Sequence, residues 1–413
     1  MNDAEHTDLS RRFFLRCGAA LTAGGAVAAR AHAADPLPAE LTPALEKLES
    51  YFTIPAKFQD VSRGRPVPHS LPLEKKKEVG LTRETWKLEI VADPEHPATL
   101  GKQFKKQDNT AIEFDTLVKM GEKHAVRFPK IMTCLNLGCP LGMGIWEGVP
   151  LRNLVWLAKP KENLRRVHYY GYHNDDPKQQ FRGSLPIGRV LEDYDDLPPV
   201  IACYKLNGEW LSPARGAPVR IVAPEHYGYK CVKWITHIVL SNRFFANDTY
   251  GEQNNDVDSP MKTFAATLHV PDSVKANAPI PLTGYAQSGI SGLSKVQVWA
   301  SPKGKGWDAD DPYFTTAPWK DATILPTPAK WGGDLPDGAI PKDTMGFTAA
   351  GKPKEWPMRL AKAFWAALLP GLHVGEYTLR CRTVDAKGAA QPMPRPFKKG
   401  GRCDIEEVAF SVV

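Results

Sequence analysis

Between Lys130 and Leu151 the chain sets its strongest constraint on itself. Ile131-Met132-Thr133-Cys134-Leu135-Asn136-Leu137-Gly138-Cys139 is a β-rich run that ends on a cysteine. A loop of small residues follows, and Trp146-Glu147-Gly148-Val149-Pro150-Leu151 returns to apolar chain. A cysteine at a strand end beside a glycine-bearing loop is open on one side. That suits a metal bound jointly by a protein thiolate and a second group, since the thiolate is the ligand form of cysteine. Alone the feature would say little, because an isolated free cysteine is usually an inert small hydrophobe.

The N-terminus bears on compartment. Ser10-Arg11-Arg12-Phe13-Phe14-Leu15 precedes a weakly apolar, Ala/Gly-rich stretch from Cys17 to Ala29, and Ala31-His32-Ala33 follows. Charged start, apolar middle and small-x-small end make an export signal. The paired arginines and mild hydrophobicity resemble a twin-arginine signal. Residues 1–33 are read as that signal, with cleavage after Ala33 and the periplasm as destination. The apolar run is shorter than the ~20 residues a spanning helix needs. No later stretch reaches that length, so no membrane span is expected in the mature chain. The twin-arginine route carries folded proteins, which suits a cofactor inserted before export.

The remaining residues suffice for two or three domains. A net charge of +7 is modest and no basic run is interleaved with aromatics, so nucleic-acid binding has no support. Lys75-Lys76-Lys77 reads as a solvated face. Seven cysteines are irregularly spaced without any C-x-x-C pair, which leaves structural zinc, iron–sulfur and thioredoxin-type sites unsupported. A Cys134–Cys139 disulfide would defeat the metal reading. There is no G-x-S-x-G, no H-E-x-x-H and no phosphate-cradling glycine loop.

Residues 34–80 form an extended lead-in. From 81 to 245 short strands and helices mix. Trp86–Val91 and Val219–Val222 read as strands, and Leu151–Leu157 and Ile187–Leu191 as short helices. A linker spans 246–275, the Asn/Asp-rich texture running from Asn242 to Ser259. Residues 276–413 turn to β, with strands at Ile280–Ala286, Lys295–Ala300, Gly375–Cys381 and Val408–Val412. Short strands between turn-rich loops suggest a sandwich. The Gly/Pro-rich insertion Lys303–Lys354 should be mostly irregular.

The Cys134 segment resembles the metal-ligand segment of the sulfite oxidase family of molybdenum enzymes. Two further stretches agree. Ile201-Ala202-Cys203-Tyr204-Lys205-Leu206-Asn207-Gly208, Arg215-Gly216-Ala217-Pro218-Val219-Arg220 and Gly228-Tyr229-Lys230-Cys231-Val232-Lys233-Trp234 are similar to the family's strand, turn and "V-K-W" pattern. Gly284-Tyr285-Ala286, Ser288-Gly289 and Val296-Gln297-Val298 resemble its C-terminal domain. The resemblance implies an α+β molybdopterin-binding domain of the sulfite oxidase type. An all-β immunoglobulin-like sandwich, often a dimer-forming unit, would follow.

The same resemblance implies roles. Cys134 would bind molybdenum, with Cys139 as rival or neighbour. Arg63, Arg215, Arg220, Cys231, Val232 and Lys233 would hold the molybdopterin, with Lys230 as a further phosphate candidate, since arginine forks and backbone N–H groups suit phosphate and polar rings. Tyr250 would donate a hydrogen bond at the metal. Tyr204 is the alternative, but its strand alternation suggests packing. Arg63, Lys399 and Arg402, with Lys398 nearby, would supply charge to an anionic substrate. His173 and His226 lie in polar segments where exposure is the plainer reading. The family's arginine five residues after the metal cysteine is replaced here by Cys139. The expected function is an exported molybdenum–pterin oxidoreductase transferring oxygen to sulfite or a related sulfur oxyanion. Electrons would pass to a separate c-type cytochrome, and a homodimer is expected. The alternatives are an S- or N-oxide reductase of the same family, and a non-catalytic relic that binds an anion or a partner.

Overall fold

Among the described residues, alternating and fully buried strands form three sheets. The first runs β2 (Ile112–Glu113), β1 (Lys87–Ala92), β10 (Ile235–Ser241), β5 (Arg166–Gly171), β6 (Arg182–Pro186). β1 and β10 pair in parallel, with Glu89 opposite His237. A parallel pair needs a crossover, and the second sheet lies within that connection. The computed structural model describes residues 36–194, 197–393, 395 and 397–413, of which Glu40–Val413 belongs to one compact unit. The signal reading of residues 1–33 lies outside the described residues. Among the described residues, no helix is long and apolar enough to cross a membrane.

The second sheet is antiparallel and runs β3 (Val126–Thr133), β4 (Pro140–Pro150), β7 (Ile201–Leu206), β8 (Glu209–Trp210), with β9 (Arg220–Val222) also on β7. β3 and β4 are buried on both faces over most of their length, so their sequences lack strict alternation. Trp146 on β4 is fully buried and donates its Nε1–H to Lys130 O at 3.0 Å. Truncating such a side chain costs about 3–5 kcal/mol. Among the described residues, five short α-helices accompany the sheets: α1 (Thr42–Leu45), α2 (Leu73–Glu78), α3 (Phe114–His124), α4 (Leu151–Leu157) and α5 (Ile187–Leu191). α3 buries Phe114, Leu117 and Gly121. A Cβ on Gly121 would lie 2.2 Å from Tyr204 Oη, so only glycine lets helix and sheet approach here. The ranges expected for α4 and α5 agree with the structure.

The third sheet has eight strands in the order β11 (Phe264–His269), β13 (Ile280–Gln287), β16 (Lys362–Leu369), β15 (Lys320–Ile324), β14 (Lys295–Pro302), β17 (Gly375–Val384), β18 (Glu406–Val412), β12 (Ser273–Val274). Its core gathers Leu282, Val298, Trp365, Leu379 and Phe410. Three features depart from the sequence reading. β11 falls inside the expected linker, because the Asn/Asp-rich texture stops before Phe264-Ala265-Ala266. β16 is buried along nearly its whole length and offers no alternation to read. The lead-in is core-forming: Phe52 is fully buried and stacks on Trp331 of the insertion at 5.3 Å.

Candidate active site

The β3–β4 hairpin tip carries Cys134. Cys134 N donates to Cys139 O at 3.1 Å and Gly138 N to Cys134 O at 2.9 Å. Gly138 has φ +60°, a left-handed conformation glycine adopts without steric cost. The tip borders a cavity of about 260 Å³. The opposite walls come from the lead-in around Phe58–Arg63, the β9–β10 connection and the loop bearing Tyr250. Cys134, Arg63, Arg215, Arg220, Cys231, Val232, Lys233 and Tyr250 all line it, so eight expected site residues from four segments meet in one place.

One end is cationic. Arg220 is fixed by its own backbone surroundings, donating to Arg215 O at 2.9 Å and to Cys231 O at 2.6 Å. Arg215 donates to Gln59 O at 3.3 Å. The Nε atoms of both arginines are buried without a protein partner. Lys233 Nζ reaches Asp60 Oδ1 at 2.9 Å, Ser62 Oγ at 2.7 Å and Ala214 O at 2.7 Å. Burial, with Arg220 adding repulsion, pushes Lys233 down to about 7. Burial would raise Asp60, but hydrogen bonds from Ser62 and Lys233 outweigh it and hold the carboxyl at about 2.

The other end surrounds the cysteine. Tyr250 Oη donates to Asn136 Oδ1 at 2.9 Å and accepts from Arg63 Nη2 at 3.1 Å. The Arg63 guanidinium lies over the Phe181 ring at 4.9 Å, and Tyr229 stacks on Tyr250 at 4.7 Å. Burial raises the Tyr250 phenol. Lys399 does not line the cavity; its Nζ sits outside it, 5.4 Å from the Tyr250 ring centre.

Several expected residues lie elsewhere. Lys230 does not reach the cavity; its Nζ is 2.6 Å from Asp248 Oδ2 in a buried ion pair, which leaves it unavailable to a phosphate. Arg402 packs its Cβ near Gly138, yet its guanidinium pairs with Glu406 at 2.9 Å. Cys139 points its thiol toward Gln59, 3.9 Å away, and burial raises it. Cys134 and Cys139 are both free thiols. His173 is not the exposed loop residue expected: it lines the cavity, stacks on Phe181 at 6.0 Å, and has an unpartnered buried Nε2. Burial pushes it down to about 4, so it is neutral near pH 7. His226 is buried too, but beside Glu225 at 3.4 Å and off the cavity. Tyr204 packs against α3. Asn136, Asp60 and Ser62 join the site without having been expected there. Asn136 was visible as the polar residue two positions past the cysteine, and Asp60-Val61-Ser62 as the polar run before Arg63.

Among the described residues no group of three or more His, Cys, Asp or Glu side chains could hold a metal. A metal at Cys134 therefore needs ligands from a cofactor. The donors present fit a group with its own sulfur ligands, a phosphate and a polar ring: one soft thiolate, three cations at one end, and orphaned Arg215 Nε, Arg220 Nε and His173 Nε2.

The comparisons agree with this geometry. Residues 76–248 match the family described as oxidoreductase molybdopterin binding domain. A nitrate reductase [NADH] of Phaseolus vulgaris is 29% identical over 215 residues, covering 50% of this chain and 23% of the relative. The mitochondrial sulfite oxidase of Drosophila melanogaster is 29% identical over 117 residues, 28% of this chain and 19% of the relative. The chain thus matches about a fifth of the length of these relatives. The solved sulfane dehydrogenase SoxCD of Paracoccus pantotrophus aligns over 94% of this chain and 92% of that one, with a TM-score of 0.56 and 17% identity, which establishes a shared fold. Residues 76–248 are thus a molybdopterin-binding domain, lined by donors that fit that cofactor, and the chain is similar in sequence to molybdopterin-dependent oxidoreductases that include sulfite oxidase and nitrate reductase.

Proposed function

We propose that the chain oxidises a small sulfur oxyanion such as sulfite at a molybdenum–pterin centre held by Cys134. The observation that carries this is the cluster of Cys134, Asn136, Tyr250 and Arg63 at one end of the cavity, opposite the cationic end. When bound, the cofactor supplies two-electron oxygen-atom transfer. The chain's own residues bind and orient. Arg215, Arg220 and Lys233 would hold the phosphate end, and His173 and the Cys231–Val232 backbone the ring. Arg63 and Lys399 would attract the oxyanion, while Tyr250 offers a hydroxyl that now donates its hydrogen bond to Asn136 Oδ1. Residues 1–33 would direct export to the periplasm. Electrons would leave to a separate carrier, a c-type cytochrome. Residues 81–245 would form the cofactor domain, and 276–413 an immunoglobulin-like unit that pairs two copies.

A reductive reading, removing oxygen from an S- or N-oxide, has one specific observation behind it. Cys139 stands where an arginine would strengthen oxyanion binding, and one such charge-assisted bond is worth about 1.5–3 kcal/mol. Metal analysis of wild type and Cys134→Ser, followed by sulfite oxidation and sulfoxide reduction assays, tests both. About one molybdenum per chain, lost in the variant, with sulfite turnover, supports the leading reading. Turnover of the oxide alone reverses the direction, and a wild type without molybdenum sinks both.

A further inference from the structure

Lys230, displaced from the phosphate role, does something else. It belongs to the turn Gly228–Lys230 that leads directly into Cys231, Val232 and Lys233 on the cavity wall. Its Nζ donates to Asp248 Oδ2 at 2.6 Å. The same oxygen accepts from Ser184 Oγ at 2.9 Å, and Oδ1 accepts from Gly251 N at 2.9 Å. The Asp248 carboxylate therefore closes the short turn that presents Tyr250. Tyr229 adds a second hold: its ring stacks on Tyr250 at 4.7 Å and 21°, and its hydroxyl is fixed to Val257 O at 2.9 Å.

Both charges are buried, with side chains 2% and 1% exposed. Desolvation offsets most of the attraction in such a pair, so net stability is a poor account of it. What it does is fix geometry, since neither group can leave its partner without stranding a buried charge. On the other side of the turn, Cys231 O is bonded to Arg220 and Val232 O accepts from Ile221 N at 2.9 Å. One stretch of backbone, 228–233, thus touches the proposed cofactor seat with one half and the Tyr250 turn with the other.

We propose that Lys230 is a positioning residue for Tyr250, acting through Asp248, and that residues 228–233 couple cofactor binding to the ordering of the Tyr250 turn. A group seated against Cys231–Lys233 orders that backbone, and the Asp248–Gly251 turn then costs less to order. The inference rests on the cofactor reading above.

Hydrogen exchange tests it on the full chain, prepared from cells with and without molybdopterin synthesis, with molybdenum measured on each sample. In wild type, peptides spanning 246–255 should exchange about tenfold more slowly in the loaded protein, the size expected of ordinary coupling. The double variant Lys230→Met/Asp248→Asn removes both charges together and should lose that difference while still loading molybdenum. Tyr229→Leu, which removes the stacking and the bond to Val257 O but leaves the ion pair, should reduce the difference by about threefold and covers the case where the double variant fails to fold. Equal exchange in loaded and cofactor-free wild type, or a difference that survives both variants, overturns the coupling. Absence of molybdenum from wild type is separately visible and overturns the cofactor reading beneath it.

Discussion

The Tyr250 hydroxyl donates to Asn136 Oδ1 at 2.9 Å, two residues past the cysteine that lines the same cavity. The bond joins the β3–β4 hairpin tip to the loop after β10, segments more than a hundred positions apart in the chain. Arg63 of the lead-in completes the junction at 3.1 Å. The phenol is thus oriented from both sides, as donor to an amide oxygen and as acceptor from a guanidinium. Its proton has an assigned partner, which any ligand that wants it must replace.

Replacing Asn136 by Ala leaves that buried donor without its acceptor. The net value of such a bond is about 1 kcal/mol, so turnover with sulfite should fall by about fivefold. Tyr250→Phe should fall further, by about 100-fold, if the hydroxyl stabilises charge during reaction. Molybdenum content should be unchanged in both variants. Metal analysis and steady-state kinetics on the same samples check this.

Cys134→Ser and Cys139→Ser should behave oppositely, although only four residues lie between them. Cys134 lines the cavity, whereas the Cys139 thiol points toward Gln59. A serine hydroxyl is a poor ligand for a soft metal centre. Cys134→Ser should reduce molybdenum by more than about tenfold, and Cys139→Ser should retain it. Equal loss in both would mean that the hairpin tip, rather than one thiolate, holds the cofactor.

The sequence ranked Cys134 ahead of Cys139 only through the family resemblance, and the reason is physical. A hairpin tip looks alike to both until the side chains find their neighbours. The pattern around Arg215, Arg220 and Lys233 was legible because these residues are close in the chain and share one connection. Lys230 looked equivalent to Lys233, but its partner Asp248 lies 18 positions on and only folding brings them together. His173 sits in a polar stretch that reads as solvated, while burial under Phe181 comes from a separate strand edge. β16 escaped because a strand buried on both faces carries no alternation.

The cationic end should respond to pH through Lys233, which burial pushes down to about 7. Above that value the folded chain loses an ammonium from the proposed phosphate seat. Sulfate keeps its charge over this range, so its affinity should fall by about tenfold between pH 6 and 8.5. Lys233→Met should bind sulfate weakly with little pH dependence. Stability follows the same group with a defined sign. Between pH 7 and about 10 the unfolded chain holds a proton the folded chain lacks, so stability rises with pH there. Lys130, which burial pushes down to about 8, adds in the same direction. Calorimetry across the range checks both statements.

Acid should act through three histidines, two buried and one half-buried. Burial pushes His168, His173 and His226 each down to about 4. Above pH 6.5 folded and unfolded chains are both neutral at these positions, so nothing is lost. Between 6.5 and 4 the unfolded chain takes up protons that the folded chain refuses, and stability falls as pH drops. Each contributes on the order of 3 kcal/mol over that window. Melting temperatures from pH 7 to 4.5 should fall steeply, and His168→Gln should flatten the slope without affecting molybdenum content. An unchanged slope would place the acid sensitivity elsewhere.

Under the proposed function, Lys399 would separate the two directions of reaction. Its Nζ stands 5.4 Å from the Tyr250 ring, and Asp256 N donates to its carbonyl at 3.0 Å, so the backbone that carries it is held in place. A cation beside the phenol attracts an oxyanion before reaction and does little for a neutral oxide. Lys399→Gln should therefore raise KM for sulfite by about tenfold, one charge-assisted contact being worth about 1.5 kcal/mol or more. Its effect on kcat should be smaller, and added salt should weaken the wild type toward the variant. KM for a neutral sulfoxide should stay within about twofold of wild type on the same reasoning. If the variant leaves sulfite KM unchanged, the oxyanion is received by Arg63 alone, and the smaller charge at the site would favour the reductive reading.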